Sequence, residues 1–162
     1  MQQTANDLIH IVEEVLPRLQ NLTEAAVSQR PAPGKWSKKE IIGHLADSAC
    51  NNQQKFVRML LAENGHLDFI GYQQDRWVTV QAYQSAPWPE LVALWAAYNR
   101  QLAHFIRHIP ADKGGSTINI DGVGPFRLDF IVPDYVQHLR HHLKAVLPEA
   151  GLESTFSNVY GA

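Results

Sequence analysis

The sequence predicts an all-α fold, a four-helix bundle with a short extended hairpin or loop before the last helix. Three observations predict it: long segments carry apolar residues at helical spacing, helix-start and helix-end residues flank them, and a short segment around an Asp-Gly pair precedes the last helix. The 162 residues are enough for a hydrophobic core. We therefore expect one domain over residues 1–162, with residues 148–162 as a C-terminal tail.

The first helix is predicted between Asn6 and about Ser28. Its apolar residues with helical spacing are Leu8, Ile11, Val12, Val15, Leu16, Leu19 and Leu22. Pro17 interrupts this pattern, so we expect a kink or a local break there. The next segment, R-P-A-P-G-K, has two prolines and a glycine and is typical of a linker between helices.

The second helix has the clearest start. Ser37 can cap the free backbone N–H groups of the first turn, and the Glu40 side chain can reach back to the cap residue. Trp36 and Ile41 are placed as the flanking hydrophobic pair of such a start. We expect this helix to continue to residue 62 or 63.

The middle of the chain predicts one long helix between less regular segments. Residues 65–78, G-H-L-D-F-I-G-Y-Q-Q-D-R-W-V, are poorly periodic, so we expect a loop. The third helix should run from about Trp88 to His108, with Pro89 in its first turn and Pro110 beyond its end.

The last third of the chain predicts a hairpin and then a helix. The segment S-T-I-N-I-D-G-V-G-P-F-R-L is typical of a short hairpin or an extended loop around Asp121-Gly122. The last helix should begin near Asp129 and end before Pro148, with Pro133 in or near its first turn.

Composition narrows the classes of function. The net charge is −2 and the basic residues are scattered, which argues against a nucleic-acid-binding protein. No apolar run approaches the roughly 20 residues of a membrane span, and the N-terminus does not have the layout of a signal peptide. The single cysteine, Cys50, cannot form an internal disulfide, so we expect a cytoplasmic location.

Three histidines are candidate metal ligands. His138 and His142 are four residues apart in the last helix, which places their rings about 40° apart on one face. His44 lies well inside the second helix. Bundles commonly hold metals between facing helices, and imidazole is a common ligand of borderline divalent cations. Two ligands from one helix and a third from another would form an open site with room for water or substrate.

Other histidines compete with this assignment. His104 and His108 have the same spacing, but they fall in the last turn of the third helix, where cationic side chains are favoured by the helix dipole. We therefore expect a solvated or capping pair there. His141 also shares a face with His138, and spacing alone leaves that pairing open.

Two of these segments together resemble a known family. W-S-K-K-E-I-I-G-H-L-A-D-S and D-Y-V-Q-H-L-R-H-H-L-K resemble the DinB-like superfamily, bacterial four-helix bundles with a divalent metal between the helices. The resemblance extends from the first helix to about Leu147. It implies a DinB-like bundle in which His44, His138 and His142 are the metal ligands.

The resemblance also implies a class of chemistry. The segment Y-Q-Q-D-R-W-V resembles the connector after the second helix in the metal-dependent hydrolase and thiol S-transferase branch. A zinc or nickel ion would acidify a bound water for hydrolysis, or deprotonate a bound low-molecular-weight thiol for transfer to a small-molecule substrate. The family resemblance favours thiol transfer slightly over hydrolysis. A non-enzymatic metal-containing binding or stress-response module, and a metal-free structural role for the histidines, stay open.

Further residues are candidates around such a site. Asp47, Ser48 and Asn51 lie on the face of the second helix that carries His44, as hydrogen-bond partners of the ligands or as a solvated patch. Asp47 and Asn51 are also candidate catalytic residues, as is Tyr135, which could hydrogen-bond to substrate or simply pack.

The remaining expectations concern the surroundings of the site and the assembly. Tyr72 and Asp75 could line the cavity mouth, although ordinary loop positions are the simpler interpretation. Cys50 should point away from His44 and serve as an inert small apolar residue. A homodimer formed through an apolar helix face is a further hypothesis.

Overall fold

The computed structural model describes residues 1–160. Short 3₁₀ helices at Tyr83–Ser85, Ala111–Gly115 and Pro148–Ala150 lie among the regular elements. The α-helices and strands are, in chain order, α1 (Gln2–Gln20), α2 (Glu24–Ser28), α3 (Lys38–Leu61), β1 (His66–Phe69), α4 (Gln74–Val80), α5 (Trp88–Arg107), β2 (Thr117–Ile120), β3 (Val123–Arg127) and α6 (Leu128–Val146).

The four long helices, α1, α3, α5 and α6, form the predicted bundle, so this part of the fold prediction is confirmed. α1 packs against α5 and α6, and α3 packs against the same two helices. α1 and α3 are therefore diagonal neighbours, although they are consecutive long helices in the chain. This arrangement brings α3 directly beside α6, the two helices that carry the candidate ligands.

Apolar side chains of all four helices fill the space between them. Trp95 of α5 is fully buried, and it is among the largest buried side chains. Burial of such faces is the main driving force that holds a bundle together. The predicted apolar stripe of the first helix lies in this core, with Leu8, Ile11, Val12, Val15 and Leu19 all buried.

The start of α3 has the predicted cap. The Ser37 hydroxyl accepts the Glu40 backbone N–H at 3.3 Å, and the Glu40 carboxylate accepts the Ser37 backbone N–H at 2.8 Å. The Ser37 hydroxyl also donates to the Gln84 side chain at 2.7 Å. These bonds fix where α3 begins and hence the position of His44 along it.

The prediction of one helix from Asn6 to Ser28 is wrong in its extent. α1 begins at Gln2, continues through Pro17 and ends at Gln20. The chain breaks after Gln20, and the short helix α2 then begins. The Thr23 side chain caps α2 by accepting the Ala26 N–H at 3.3 Å. This local cap competes with continuation of the first helix, and apolar spacing alone does not reveal it.

The prediction of a loop over residues 65–78 is also wrong. This segment contains strand β1 and most of helix α4. β1 pairs in parallel with β2, from His66 opposite Thr117 to Phe69 opposite Ile120. A four-residue strand whose partner is distant in sequence, and a helix of only two turns, are too short to show a clear apolar period.

The extended hairpin before the last helix is confirmed. β2 and β3 are antiparallel, and the turn between them is Asp121-Gly122. Both turn residues have positive φ, 50° and 81°, as a two-residue type I′ connection requires. β1 extends this hairpin into a three-stranded sheet at one end of the bundle.

α6 follows β3 directly, and Pro133 lies inside it. The helix ends at Val146, before Pro148 as predicted. Within residues 1–160, no helix combines the length and the apolar character that a bilayer crossing requires.

Candidate metal centre

The structure brings His44, His138 and His142 together between α3 and α6. One ring nitrogen from each residue lies within 4.8 Å of the corresponding nitrogens of the other two, so the cluster could hold a metal ion. The Nε2 atoms of His44 and His138 are 3.4 Å apart. Two nitrogens bound to one tetrahedral zinc at about 2.0–2.1 Å would be separated by roughly 3.4 Å, so this spacing fits a shared cation.

The three imidazoles are neutral at physiological pH. Burial, with a smaller contribution from His142, lowers the pKa of His44 to about 3. Burial, followed by His141, lowers the pKa of His142 to about 4. Burial and the neighbouring histidines hold the pKa of His138 well below its usual range. Neutral rings keep the lone pairs that a divalent cation needs.

Hydroxyl groups face the opposite side of two of these rings. The Ser48 Oγ is 3.4 Å from the Nδ1 of His138, and the Tyr72 hydroxyl is 3.5 Å from the Nδ1 of His44. With a cation on Nε2, each Nδ1–H could donate to the facing oxygen, which would fix the tautomer and the ring orientation. For Ser48 the sequence left a solvated patch open, and for Tyr72 it favoured an ordinary loop position; the structure places both hydroxyls beside the rings.

Aromatic side chains enclose the cluster. The Trp36 ring lies 5.0 Å from the ring of His44, and the Phe156 ring lies 5.0 Å from that of His138. Such walls limit water and lower the local dielectric constant. The sequence indicates Trp36 only as part of a helix start. Phe156 was missed, because nothing in the aperiodic tail signals a contact with α6.

The candidate catalytic residues Asp47 and Asn51 follow His44 along α3, and their hydrogen bonds within residues 1–160 go to groups other than the three rings. Asp47 Oδ1 accepts the Tyr83 hydroxyl at 2.7 Å and the Gln81 amide at 3.3 Å. Its buried Oδ2 has no hydrogen-bond partner among residues 1–160, and burial raises the pKa of this carboxyl against those two bonds. The Asn51 side chain donates to the Asp47 carbonyl at 2.9 Å.

Other candidates lie apart from the three rings. The Tyr135 hydroxyl donates to Asn99 at 2.6 Å, deep in the core, and its ring packs on Phe56. Asp75 is exposed in the first turn of α4. Cys50 is partly buried on the wall of a separate cavity of about 510 Å³.

The competing histidines occupy different environments. His104 and His108 form an exposed pair at the end of α5, and the His108 ring hydrogen-bonds the His104 carbonyl oxygen at 2.8 Å. His141 is exposed, and its ring packs edge-on against His142 at 5.2 Å. Within residues 1–160, His44, His138 and His142 are the histidines that meet ligand spacing.

Comparisons with known proteins agree with this fold. Over 92% of this chain and 89% of the other, the structure superposes on YfiT from Bacillus subtilis with a TM-score of 0.74 and 20% sequence identity. YfiT is described as a probable metal-dependent hydrolase with an unusual four-helix bundle topology. No functionally curated protein matches the sequence significantly. The sequence matches the DinB superfamily over residues 10–146, and the chain therefore belongs to that superfamily.

Proposed function

We propose that this chain is a metal-dependent hydrolase of a small-molecule substrate, with His44, His138 and His142 as ligands of a divalent cation, zinc or nickel. One observation carries the proposal: three neutral imidazoles from two helices converge at ligand spacing. The fold shared with YfiT, a probable metal-dependent hydrolase, supports it.

The chemistry of such a centre follows from its ligands. A cation held by three neutral rings keeps its full charge, and it would lower the pKa of a bound water towards about 7. Ser48 and Tyr72 would hold two of the rings in their ligand tautomer. Trp36 and Phe156 would exclude bulk water and so strengthen the electrostatic interactions inside.

Asp47 is the proposed proton acceptor. It lies three residues after His44 on α3, and its Oδ2 is free of hydrogen bonds within the described part of the chain. Burial raises its pKa, which makes this carboxylate a better base than an exposed one. The Tyr83 hydroxyl holds the other oxygen and fixes the orientation of the carboxyl group.

Transfer of a low-molecular-weight thiol is the second candidate. The α3 segment A-C-N-N-Q-Q-K, at residues 49–55, adds no second carboxylate that could assist Asp47 as a base for water. A thiol does not need a separate base, because a divalent cation deprotonates a coordinated thiol outright. The resemblance of residues 72–78 to the hydrolase and thiol-transferase branch is compatible with both reactions.

The test combines metal content with turnover. Protein purified without an affinity tag should contain about one zinc or nickel ion per chain. It should turn over amides or esters, or couple a thiol to an electrophile, and a chelator should abolish the activity. Activity of the ester or amide class that survives complete metal removal would contradict the proposal. Metal without any turnover would favour the non-enzymatic module.

Two further expectations accompany this proposal. A homodimer should give twice the chain mass in light scattering at micromolar concentration, and a monomer mass would reject it. If the protein is cytoplasmic, cell fractionation should recover the native protein in the cytoplasmic fraction.

A further inference from the structure

Lys55 is a partly buried cation that has no anionic partner in the described part of the chain. No carboxylate oxygen of residues 1–160 lies within 4.0 Å of its Nζ, which also makes no hydrogen bond in that range. The ammonium instead lies 5.7 Å from the ring centre of Phe69 and 5.9 Å from that of Tyr160. Burial lowers the pKa of Lys55 to about 8, opposed by Asp121 and Asp134, so the group is mostly charged at neutral pH.

The two carboxylates that influence Lys55 are engaged elsewhere. Asp121 Oδ1 accepts the Gly71 backbone N–H at 3.0 Å. Asp134 accepts the hydroxyl of Tyr160. Aromatic rings compensate a buried ammonium only in part, and removal of a charge from water is costly without direct hydrogen bonds. The Lys55 ammonium therefore has three donors available for an added anion.

Neighbouring side chains link Lys55 to the candidate metal centre. Asp134 and His138 are one turn apart on α6, about 6 Å along the axis. The Tyr160 side chain links this turn to Lys55, because its hydroxyl bonds Asp134 while its ring contacts the ammonium. Phe156, four residues earlier in the tail, packs on His138. The charge of Lys55 also contributes to the lowered pKa of His138.

The positions of Ser48 and Lys55 on α3 also relate Lys55 to the histidines. Ser48, which faces His138, precedes Lys55 by seven residues, or two helical turns. Both residues therefore lie on one face of the helix. Helical side chains slope towards the N-terminus, so the long Lys55 side chain carries its ammonium back towards Ser48 and the histidines.

We propose that Lys55 binds an oxyanion group, a carboxylate or a phosphate, of the substrate whose reactive bond lies at His44, His138 and His142. This inference rests on the proposed function and narrows its substrate class to anionic small molecules. A lysine is a compact point charge, which suits a single charged oxygen group. We take the turn of α6 between Asp134 and His138, about 6 Å, as the proposed separation, which corresponds to roughly four or five bonds between the anionic group and the reactive bond.

The first experiment measures anion binding without metal. Chelated, isotope-labelled protein is titrated with inorganic phosphate and, separately, with acetate, and amide shifts around Lys55 are followed by NMR. Saturable binding of at least one anion is expected, about ten-fold weaker in Lys55→Met and retained in Lys55→Arg. The stronger of the two titrations identifies the oxyanion class. Absence of saturable binding of either anion, or equal binding by Lys55→Met, overturns the inference.

Arg58→Met is the matched control. Arg58 is an exposed cation on the same helix, and its guanidinium lies 6.0 Å from the centre of the same Phe69 ring. The substitution removes one positive charge, as Lys55→Met does, so anion affinity should change by less than about two-fold from screened charge alone. An equal loss of affinity in both variants would show general electrostatic attraction and overturn the assignment to Lys55.

The second experiment measures the proposed spacing. Zinc-loaded protein is titrated by calorimetry with N-hydroxysuccinamic acid and with butyrohydroxamic acid, which share a metal-binding hydroxamate and differ in a distal carboxylate. The carboxylate compound should bind about ten-fold more tightly to the wild type and equally to Lys55→Met. Equal binding of the two compounds to the wild type overturns the spacing and, with it, the proposal that Lys55 binds the substrate of the metal centre.

The metal content distinguishes failure of the anion site at Lys55 from failure of the metal centre. Lys55→Met should contain as much zinc as the wild type, because Lys55 is not a proposed ligand. If the wild type binds metal but no anion, the anion site fails and the metal centre stands. If the wild type binds no metal, the proposed function fails whatever the anion titrations show, and the substrate assignment of Lys55 falls with it.

Discussion

The chain contains two histidine pairs with the same i, i+4 spacing in very different surroundings. His138 and His142 face α3 between two helices, where His44 brings a third ring nitrogen within ligand distance. His104 and His108 stand exposed at the end of α5, where one ring bonds the backbone carbonyl of the other residue. Identical spacing thus accompanies a candidate metal centre in one place and a solvated helix end in the other.

The contrast between the two histidine pairs shows that i, i+4 spacing alone does not make a metal site. A pair on one helix supplies two nitrogens, whereas a stable open site needs a third ligand from elsewhere and some exclusion of water. The pair on α6 has both: His44 of α3 supplies the third nitrogen, and the rings of Trp36 and Phe156 limit water. The Ser48 hydroxyl of α3 also faces His138. Four experiments test whether these additions account for the contrast.

Removal of His44 should have the largest effect. In His44→Ala, the pair on α6 has no partner from α3 and should resemble the exposed pair on α5. We expect the affinity for zinc to fall at least about 100-fold, more than the loss of an outer partner causes. A competition titration against a chromogenic chelator measures it. Affinity within a few-fold of the wild type would show that His44 is not a ligand.

Ser48→Ala should have a smaller effect on the same measurement. Loss of the oxygen that faces His138 Nδ1 should weaken metal binding about ten-fold, because the ring loses its orienting partner. Ser48→Thr keeps a hydroxyl and should recover part of the affinity. If the alanine and threonine variants bind metal alike, the hydroxyl does not orient the ring.

Acidification should destabilise the metal-free protein. The pKa of His142 is about 4 in the folded chain, against about 6.5 in an unfolded one. Between these values the unfolded chain binds a proton that the folded chain does not. The stabilisation is therefore complete above pH 6.5 and declines as the pH falls towards 4. Urea unfolding of chelated protein at pH 7.5, 6 and 5 measures this loss.

His142→Asn is the control for that pH series. It lacks the titrating ring, so its free energy of unfolding should decline less steeply over the same range. An unchanged slope would mean that His142 does not contribute to the acid sensitivity, since His44 and His138 remain in this variant.

Ser37→Ala should have the smallest effect. Loss of the cap should lower the free energy of unfolding by about 1 kcal/mol, because the Glu40 N–H loses its acceptor. Metal affinity should change little, since the interior of α3 still holds His44. Thermal unfolding monitored by circular dichroism, together with the chelator titration, measures both. A large loss of affinity would mean that the helix start, rather than packing, positions His44.

Much of the fold could be predicted because its signals are local. The capping box at Ser37 and the Asp121-Gly122 turn each lie within a few residues, and both occur as predicted. β1 could not be predicted, because its pairing with β2 joins residues 51 positions apart. The break after Gln20 was missed because apolar spacing continues across it into α2.

In the candidate site, too, residues with a local sequence signal could be predicted, and residues that depend on distant contacts could not. The i, i+4 spacing of His138 and His142 and the family motif around His44 identified the three rings that the structure brings together. Phe156 could not be predicted, because its contact with His138 depends on how an irregular tail folds back on α6. Lys55 shares the face of α3 that carries His44, but a lysine on a helix usually faces solvent.

The most direct test is the metal content of untagged protein. Wild type, His138→Ala and His104→Ala are purified side by side and analysed by inductively coupled plasma mass spectrometry. We expect about one zinc or nickel ion per chain in the wild type and in His104→Ala, and less than about one tenth of that in His138→Ala. Equal metal content in all three proteins, or loss of metal in His104→Ala alone, would contradict it.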